Sequence, residues 1–254
     1  MPNLNDLRII IYFFLTCIVL IISFLPEGSL IFVLITKSNL DAIHYLISPV
    51  YFFITYCLTV LIFGIIHSQL VVRFTLPYKI KPGIYPRNSS LGRLIAVRIV
   101  ADGIFKSMLK VFTALPFIWG IVLFPQGMRL YGLKVGKNVH ITTRTYIETA
   151  GLVEIGDNSF IGYNSVVTGH ANEGSNIIVS PTKIGKNCMV GTYSIVACGC
   201  ELGDNSILGA KSAILKGQKI PPNEVWVGLP AKKLRDRGDN KSNTRWKDQQ
   251  ELFS

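Results

Sequence analysis

The chain has 254 residues, of which 49% are hydrophobic and only 16% charged. Soluble domains carry about a quarter charged residues, so this chain is either partly embedded in a membrane or unusually apolar. Its formal net charge of +11 suits nucleic acid or an anionic membrane surface equally well, and no DNA- or RNA-binding motif accompanies it.

The first element is Ile9 to Leu25, IIIYFFLTCIVLIISFL, which carries no charge. A membrane span needs about 20 apolar residues, so the run is just long enough. A signal peptide would end in a small-residue cleavage site; here Pro26, Glu27 and Gly28 follow. A second apolar run covers Leu46 to Val72, with His67 and Gln69 near its far end. The two runs predict a transmembrane hairpin over 1–75. Between them lies Lys37 against Glu27 and Asp41, while Arg73, Lys79, Lys81, Arg87, Arg93 and Arg98 follow the second. Positive charge stays inside, which turns both ends to the cytoplasm and accounts for much of the basic excess. His44 and His67 belong to this half. Polar groups near span ends snorkel or cap, and neither is given a catalytic role.

Residues 76–130 form a linker. LGRLIAVRIVADGIFKSMLKVF mixes apolar residues with Arg93, Arg98, Lys106 and Lys110, the pattern of a basic amphipathic helix at a membrane interface. TALPFIWGIVLF continues it, apolar but short and broken by Pro116.

From Val135 the chain runs in sixes. The first position of each unit is Val135, Ile141, Ile155, Ile161, Val167, Ile184, Val190, Val196, Leu202, Leu208, Ile214 and Ile220, all aliphatic. The fifth is usually small, as at Ser159, Ser165, Ala171, Cys188, Ser194, Cys200, Ser206 and Ser212. A helix cannot use a period of six, since its apolar face recurs at three and four. Short strands joined by turns can, three to a triangular coil, with the aliphatic residues stacked inward. Gly and Asn supply the corner angles. The five cysteines form no framework; Cys188 and Cys200 sit at the small position, which favours packing over chemistry. The beat fails after VTGHAN, just past His170. The polar tail 235–254 follows the repeat, which spans 131–234.

This pattern resembles the hexapeptide-repeat acyltransferase family, over about the last half of the chain. The resemblance implies an all-β left-handed parallel β-helix behind an N-terminal α-helical membrane region, usually assembled as a homotrimer. IPPNEVWVGLPAKKL, Ile220 to Leu234, is similar to the terminal signature of the family's acyltransferases. The apolar half followed by MRLYGLKVGKNVHI resembles membrane-anchored modules at the ends of some peptide synthetases. The segment from IGDNSF through TGH to TKIGKNCMVGTYSIV is similar to the galactoside and maltose acetyltransferases.

That resemblance implies a cytosol-facing enzyme moving an acetyl or other acyl group from acyl-CoA to a hydroxyl or amine, on a small-molecule or lipid-linked acceptor. His170 takes the place of the general base, a role suited to its pKa near working pH. Thr192 takes the place of the oxyanion donor. Glu173 could orient His170, and Asn164 and Glu148 could line the acceptor pocket; a loop charge, a turn Asn and a surface Glu are their blander readings. Coenzyme A would follow Gly191, Gly209, Ala210 and Lys216, with its nucleotide end at Pro230, Ala231, Lys232 and Arg235. The family often has Trp where this chain has Met189, which favours the alternative of a non-catalytic trimeric scaffold. The zinc-dependent carbonic anhydrases of the same fold need three histidines; only His140 and His170 lie in the repeat, so no metal is expected.

Overall fold

The computed structural model describes residues 4–25, 28–29, 42–67, 72, 80–109, 124–142 and 144–238. The apolar stretch 113–123 and the tail 239–254 lie outside the described residues, as do Arg73 and Lys79.

Among the described residues two helical stretches are long and apolar enough to cross a membrane, Leu4–Ser23 and Ser48–Ile66, the latter within the helix Ala42–Ile66. Tyr12, Thr16, Val19 and Ser23 are buried on the first. Their spacing of four, three and four lines one helical face. That face meets the second helix, where the Thr59 hydroxyl donates to the Ser23 carbonyl at 2.8 Å. The rest stays apolar and open, with Phe14 and Ile21 on one helix and Tyr51 and Phe53 on the other all exposed. His67 does not reach toward a polar surface. It is fully buried, with Nε2 3.2 Å from the Tyr12 hydroxyl, Nδ1 2.8 Å from the Tyr131 hydroxyl, and its ring stacked on Phe63.

A short strand, Gly83–Pro86, precedes a helix over Ser90–Leu109. Ser89 caps the helix, its hydroxyl accepting the Gly92 N–H at 3.0 Å. Of the basic side chains expected to face lipid headgroups, Lys110 lies outside the described residues and the other three meet protein groups. Arg93 pairs with Asp6 at 2.7 Å, Arg98 is buried and donates to the Tyr131 carbonyl, and Lys106 donates to the Ile147 carbonyl. The helix is therefore a junction between the apolar pair and the repeat region.

The repeat region is a parallel β-solenoid. One face stacks Lys134–Val135, Val153–Ile155, Thr182–Ile184, Glu201–Leu202 and Lys219–Ile220. The second stacks His140–Ile141, Phe160–Ile161, Met189–Val190, Ile207–Leu208 and Glu224–Gly228, closed by antiparallel Ala231–Asp236. The third stacks Tyr146–Glu148, Val166–Thr168, Ile195–Val196 and Ala213–Ile214. The aliphatic column is the core: Ile141, Ile161, Val167, Val190, Val196, Leu202, Leu208 and Ile214 are each 0% exposed. The small position does more than save space. Ser159, Ser165, Ser194 and Ser206 donate to corner carbonyls of the adjoining coil, at Gly185, Gly191, Gly209 and Pro221, over 2.7 to 2.8 Å. Cys188 and Cys200 take the same place, their thiols directed at the Gly203 and Leu215 carbonyls. Asn138, Asn158, Asn187, Asn205 and Asn223 occupy one corner of successive coils with φ of 53° to 61°, a region Asn tolerates. Met128, Tyr131 and Leu133 cover the first coil and Ala231 the last.

Candidate active site

The sixfold beat fails one step before His170. Val166–Thr168 is a regular third-face strand, and the chain turns at Gly169, where a Cβ would meet the Leu152 side chain at 2.7 Å. His170–Glu173 then leaves the coil and returns antiparallel as Asn176–Val179. Ala171 therefore does not sit at the small position its place in the six-residue count gave it. The hairpin starts and ends at one point, since the Ser180 N–H donates to the Gly169 carbonyl at 3.0 Å, and the coil resumes at Thr182.

His170 is 9% exposed at the root of this hairpin. Its Nδ1 lies 2.7 Å from the Thr149 hydroxyl and 3.2 Å from that of Thr168. Thr168 donates its own proton to the His170 carbonyl at 2.8 Å and accepts the His170 N–H at 3.1 Å. With that proton committed, Thr168 can only accept from the ring. With its imidazole proton on Nδ1 the ring satisfies both hydroxyls, and in that tautomer Nε2 carries the basic lone pair. Nε2 faces the Glu148 carboxylate at 4.0 Å, beyond hydrogen-bond range.

Thr149 holds this position from a strained backbone, with φ 56° and ψ 55°. A β-branched residue there is an outlier, costing about 1–3 kcal/mol. In later coils the left-handed residue of this corner falls one place further along, at Gly199 and Gly217, with φ of 76° and 74°. Neither Thr149 nor Thr168 was singled out from the sequence.

Of the residues expected around the base, Glu148 is brought to it. Glu173 lies three residues along an extended strand, about 10 Å of rise away, and forms an ion pair with Lys216. That pair joins two residues to which the resemblance gave separate tasks. Asn164 holds a left-handed corner, φ 55°. Thr192 is exposed at the corner between the second and third faces, its carbonyl accepting the Lys211 N–H at 2.9 Å. His170 leaves from the corner between the third face and the first, so one chain does not place the two side by side. Gly191, Gly209 and Ala210 share the Thr192 corner. They stack so closely that a Cβ on Gly191 would lie 2.3 Å from the Ala210 nitrogen. Pro230, Ala231 and Lys232 line an open depression of about 480 Å³ with Leu215 and Trp226. The Trp226 indole donates to Glu224 at 2.7 Å. Among the described residues no three metal-ligand side chains converge.

The hairpin is not packed on the solenoid alone. Asn176–Val179 pairs antiparallel with Gly83–Pro86, and the Arg87 N–H donates to the Ser175 carbonyl at 2.8 Å. Ile177 and Val179 form a small separate core with Ile95, flanked by Ile80, Tyr85, Ala96, Ile99 and Leu152.

Residues 181–216 match the family model described as bacterial transferase hexapeptide (six repeats), and residues 152–170 match hexapeptide repeat of succinyl-transferase. The chain is 31% identical over 134 residues to galactoside O-acetyltransferase of Escherichia coli (strain K12), covering 50% of this chain and 64% of that protein. It is 33% identical over 134 residues to the putative colanic acid biosynthesis acetyltransferase WcaF of the same strain, covering 43% of this chain and 72% of that protein. It is 29% identical over 121 residues to delta-poly-L-ornithine synthetase of Acinetobacter baumannii (strain AB307-0294), covering 46% of this chain and 9% of the synthetase.

Proposed function

Because the chain belongs to the hexapeptide-repeat acyltransferase family, we propose that it transfers an acetyl or other acyl group from coenzyme A to a hydroxyl or amine, with His170 as general base. The observation that carries this reading is the clamped imidazole, with Nδ1 held between two threonine hydroxyls and Nε2 turned toward the Glu148 carboxylate. In the reaction the acceptor's oxygen or nitrogen attacks the thioester carbonyl as Nε2 takes its proton. The tetrahedral intermediate then collapses, the carbon–sulfur bond breaks, and the departing thiolate takes the proton back from Nε2. The proton on Nδ1 stays with the threonines throughout. Glu148, beside Nε2, is placed to accept a second hydrogen from the acceptor and fix its orientation.

The donor of the oxyanion hole comes from a second copy. Thr192 and the column of Gly191, Gly209 and Ala210 occupy a different corner from His170, so a homotrimer would set the column of one chain against the histidine of the next. The outward side chains of the solenoid suit this. Phe160 and Met189 on the second face and Tyr146 and Ile195 on the third are exposed and apolar. The first face instead carries Lys134, Glu154, Lys183, Glu201 and Lys219 in register, with ion pairs of 3.3 Å and 3.5 Å at its two ends. The apolar faces are the ones to bury between subunits and the charged ladder the one to leave in water. The nucleotide end of coenzyme A takes the depression at Pro230–Lys232. The two apolar helices cross the membrane and hold the solenoid on the cytoplasmic side, as the charge after the second run requires.

The test is a thermal-shift titration of detergent-solubilised full chain with acetyl-CoA and with CoA. A ligand at 100 times its Kd stabilises by about 2.7 kcal/mol. We expect that shift in the wild type and in His170→Ala alike, with acyl transfer lost in the variant alone. No shift in folded protein would leave a non-catalytic scaffold.

A further inference from the structure

We propose that the acceptor is the polar headgroup of a membrane-resident amphiphile, which reaches His170 from the bilayer side. This rests on the acyl-transfer and membrane-spanning readings above and names the acceptor class they leave open. The wall beside the base is built from the membrane-proximal segment. Its inner strand begins with His170, its outer strand pairs with Gly83–Pro86, and its apolar side chains Ile177 and Val179 pack on Ile95. A hairpin serving only the solenoid would bury those side chains against a coil.

The segment that completes this wall is itself docked on the apolar helices. Arg93 pairs with Asp6, Asn5 donates to the Ser90 hydroxyl at 3.3 Å, and the buried His67 joins Tyr12 to Tyr131 at the mouth of the first coil. Lys106 of the same helix holds the Ile147 carbonyl, one residue before Glu148. Both Glu148 and His170 are thus fastened to elements that touch the spanning pair. A headgroup layer is only about 5–8 Å deep, so a lipid-borne acceptor needs a site held close to the surface, and this docking supplies it. A water-borne acceptor needs no such attachment. The proposed donor site lies the other way: Trp226 and Pro230–Lys232 belong to the last coil, three coils beyond the one that releases His170. At 4.7–4.9 Å per strand that is about 14 Å. The two substrates therefore approach from opposite ends of the solenoid.

The experiment uses full-length protein in nanodiscs with radiolabelled acetyl-CoA, supplied with lipid extract and with cytosol from cells that make the chain. His170→Ala serves as the control. We expect His170-dependent label in the butanol-extractable fraction. The initial rate should fall in proportion as the extract is diluted with phosphatidylcholine at constant bulk amount. Label confined to water-soluble molecules, or a rate indifferent to dilution, overturns the proposal. No His170-dependent label in either fraction removes the acyl-transfer reading with it, a distinguishable result. Placement is read separately, with Cys17 and Cys57 replaced by Ser. A fluorophore at Ser175→Cys on the hairpin turn should be quenched by headgroup spin-labelled lipid at least about threefold more than one at Lys219→Cys on the last coil, since such quenching fades within roughly a headgroup layer. Equal quenching overturns the proposal whatever the activity.

Discussion

The solenoid and the hairpin unit beside it are built on opposite principles. In the solenoid every coil repeats the same three devices: an aliphatic residue stacked on its equivalent, a small donor bonded to the adjoining coil's corner, and a left-handed residue at the turn. The hairpin unit repeats nothing. Its strand Asn176–Val179 pairs with Gly83–Pro86 from far upstream, and its core mixes a helix, a strand and one coil residue. The repeat spreads stability over nearest-neighbour contacts, so losing one coil's chemistry costs little function. The unrepeated part holds His170, the proposed base, so a small displacement there should cost activity before it costs fold.

The sharpest way to break this contrast is His170→Ala. It should lower acyl transfer by about 10²–10⁴-fold while the Tm without ligand hardly moves; a large fall in Tm would make the histidine a structural residue. Ile161→Ala in the aliphatic column should destabilise by about 2–5 kcal/mol and leave the rate per folded molecule unchanged. Ile177→Ala removes a similar side chain from the hairpin core. It should lower kcat by about tenfold or more, because small misplacements of catalytic groups are costly, with the smaller fall in Tm; the reverse ranking would merge the two regions into one. Thr168→Val should lower kcat about two- to tenfold, the worth of one hydrogen bond. Thr149→Gly removes a hydroxyl and relieves the left-handed strain together, so stability should stay within about 1 kcal/mol while kcat falls.

The mildest effect separates the thiols of the solenoid from chemistry. Burial pushes the Cys200 thiol up to about 11 from an ordinary 9.0, and raises Cys188 and Cys198 as well. The folded state therefore favours the protonated thiol. Stability from this source is flat below pH 9, declines as the unfolded thiols ionise, and levels above about 11. At neutral pH a water-soluble thiol reagent should leave these three buried thiols unmodified until the protein unfolds.

Much of this was legible from the chain. A column of aliphatic residues at every sixth position is a local statement about which side chain points inward; the six-residue count reaches the buried column except Ile147, which stacks on Val167 from a stretch where the count is interrupted. The break at His170 was visible as a failure of that count, though placed one step late, because VTGHAN still scans as a unit while the backbone has already turned at Gly169. Glu148, expected to line the acceptor pocket, lies 4.0 Å from His170 Nε2. Thr149 and Thr168 were not expected there, since a threonine in a turn carries no sign of what its hydroxyl meets. The partners of the linker helix's charges are not legible either: Arg93, Arg98 and Lys106 meet Asp6, the Tyr131 carbonyl and the Ile147 carbonyl.

By itself, then, the sequence determined the coil, its inward column, its corners, the two apolar runs and the histidine at the interruption, because each is set by composition or by spacing over a few residues. Tertiary structure alone decided the partners of that histidine and the surface its hairpin rests on. Those follow from strand pairing and burial that bring in a hydroxyl from the preceding coil and a strand from far upstream, where no local pattern records which backbone will lie beside which.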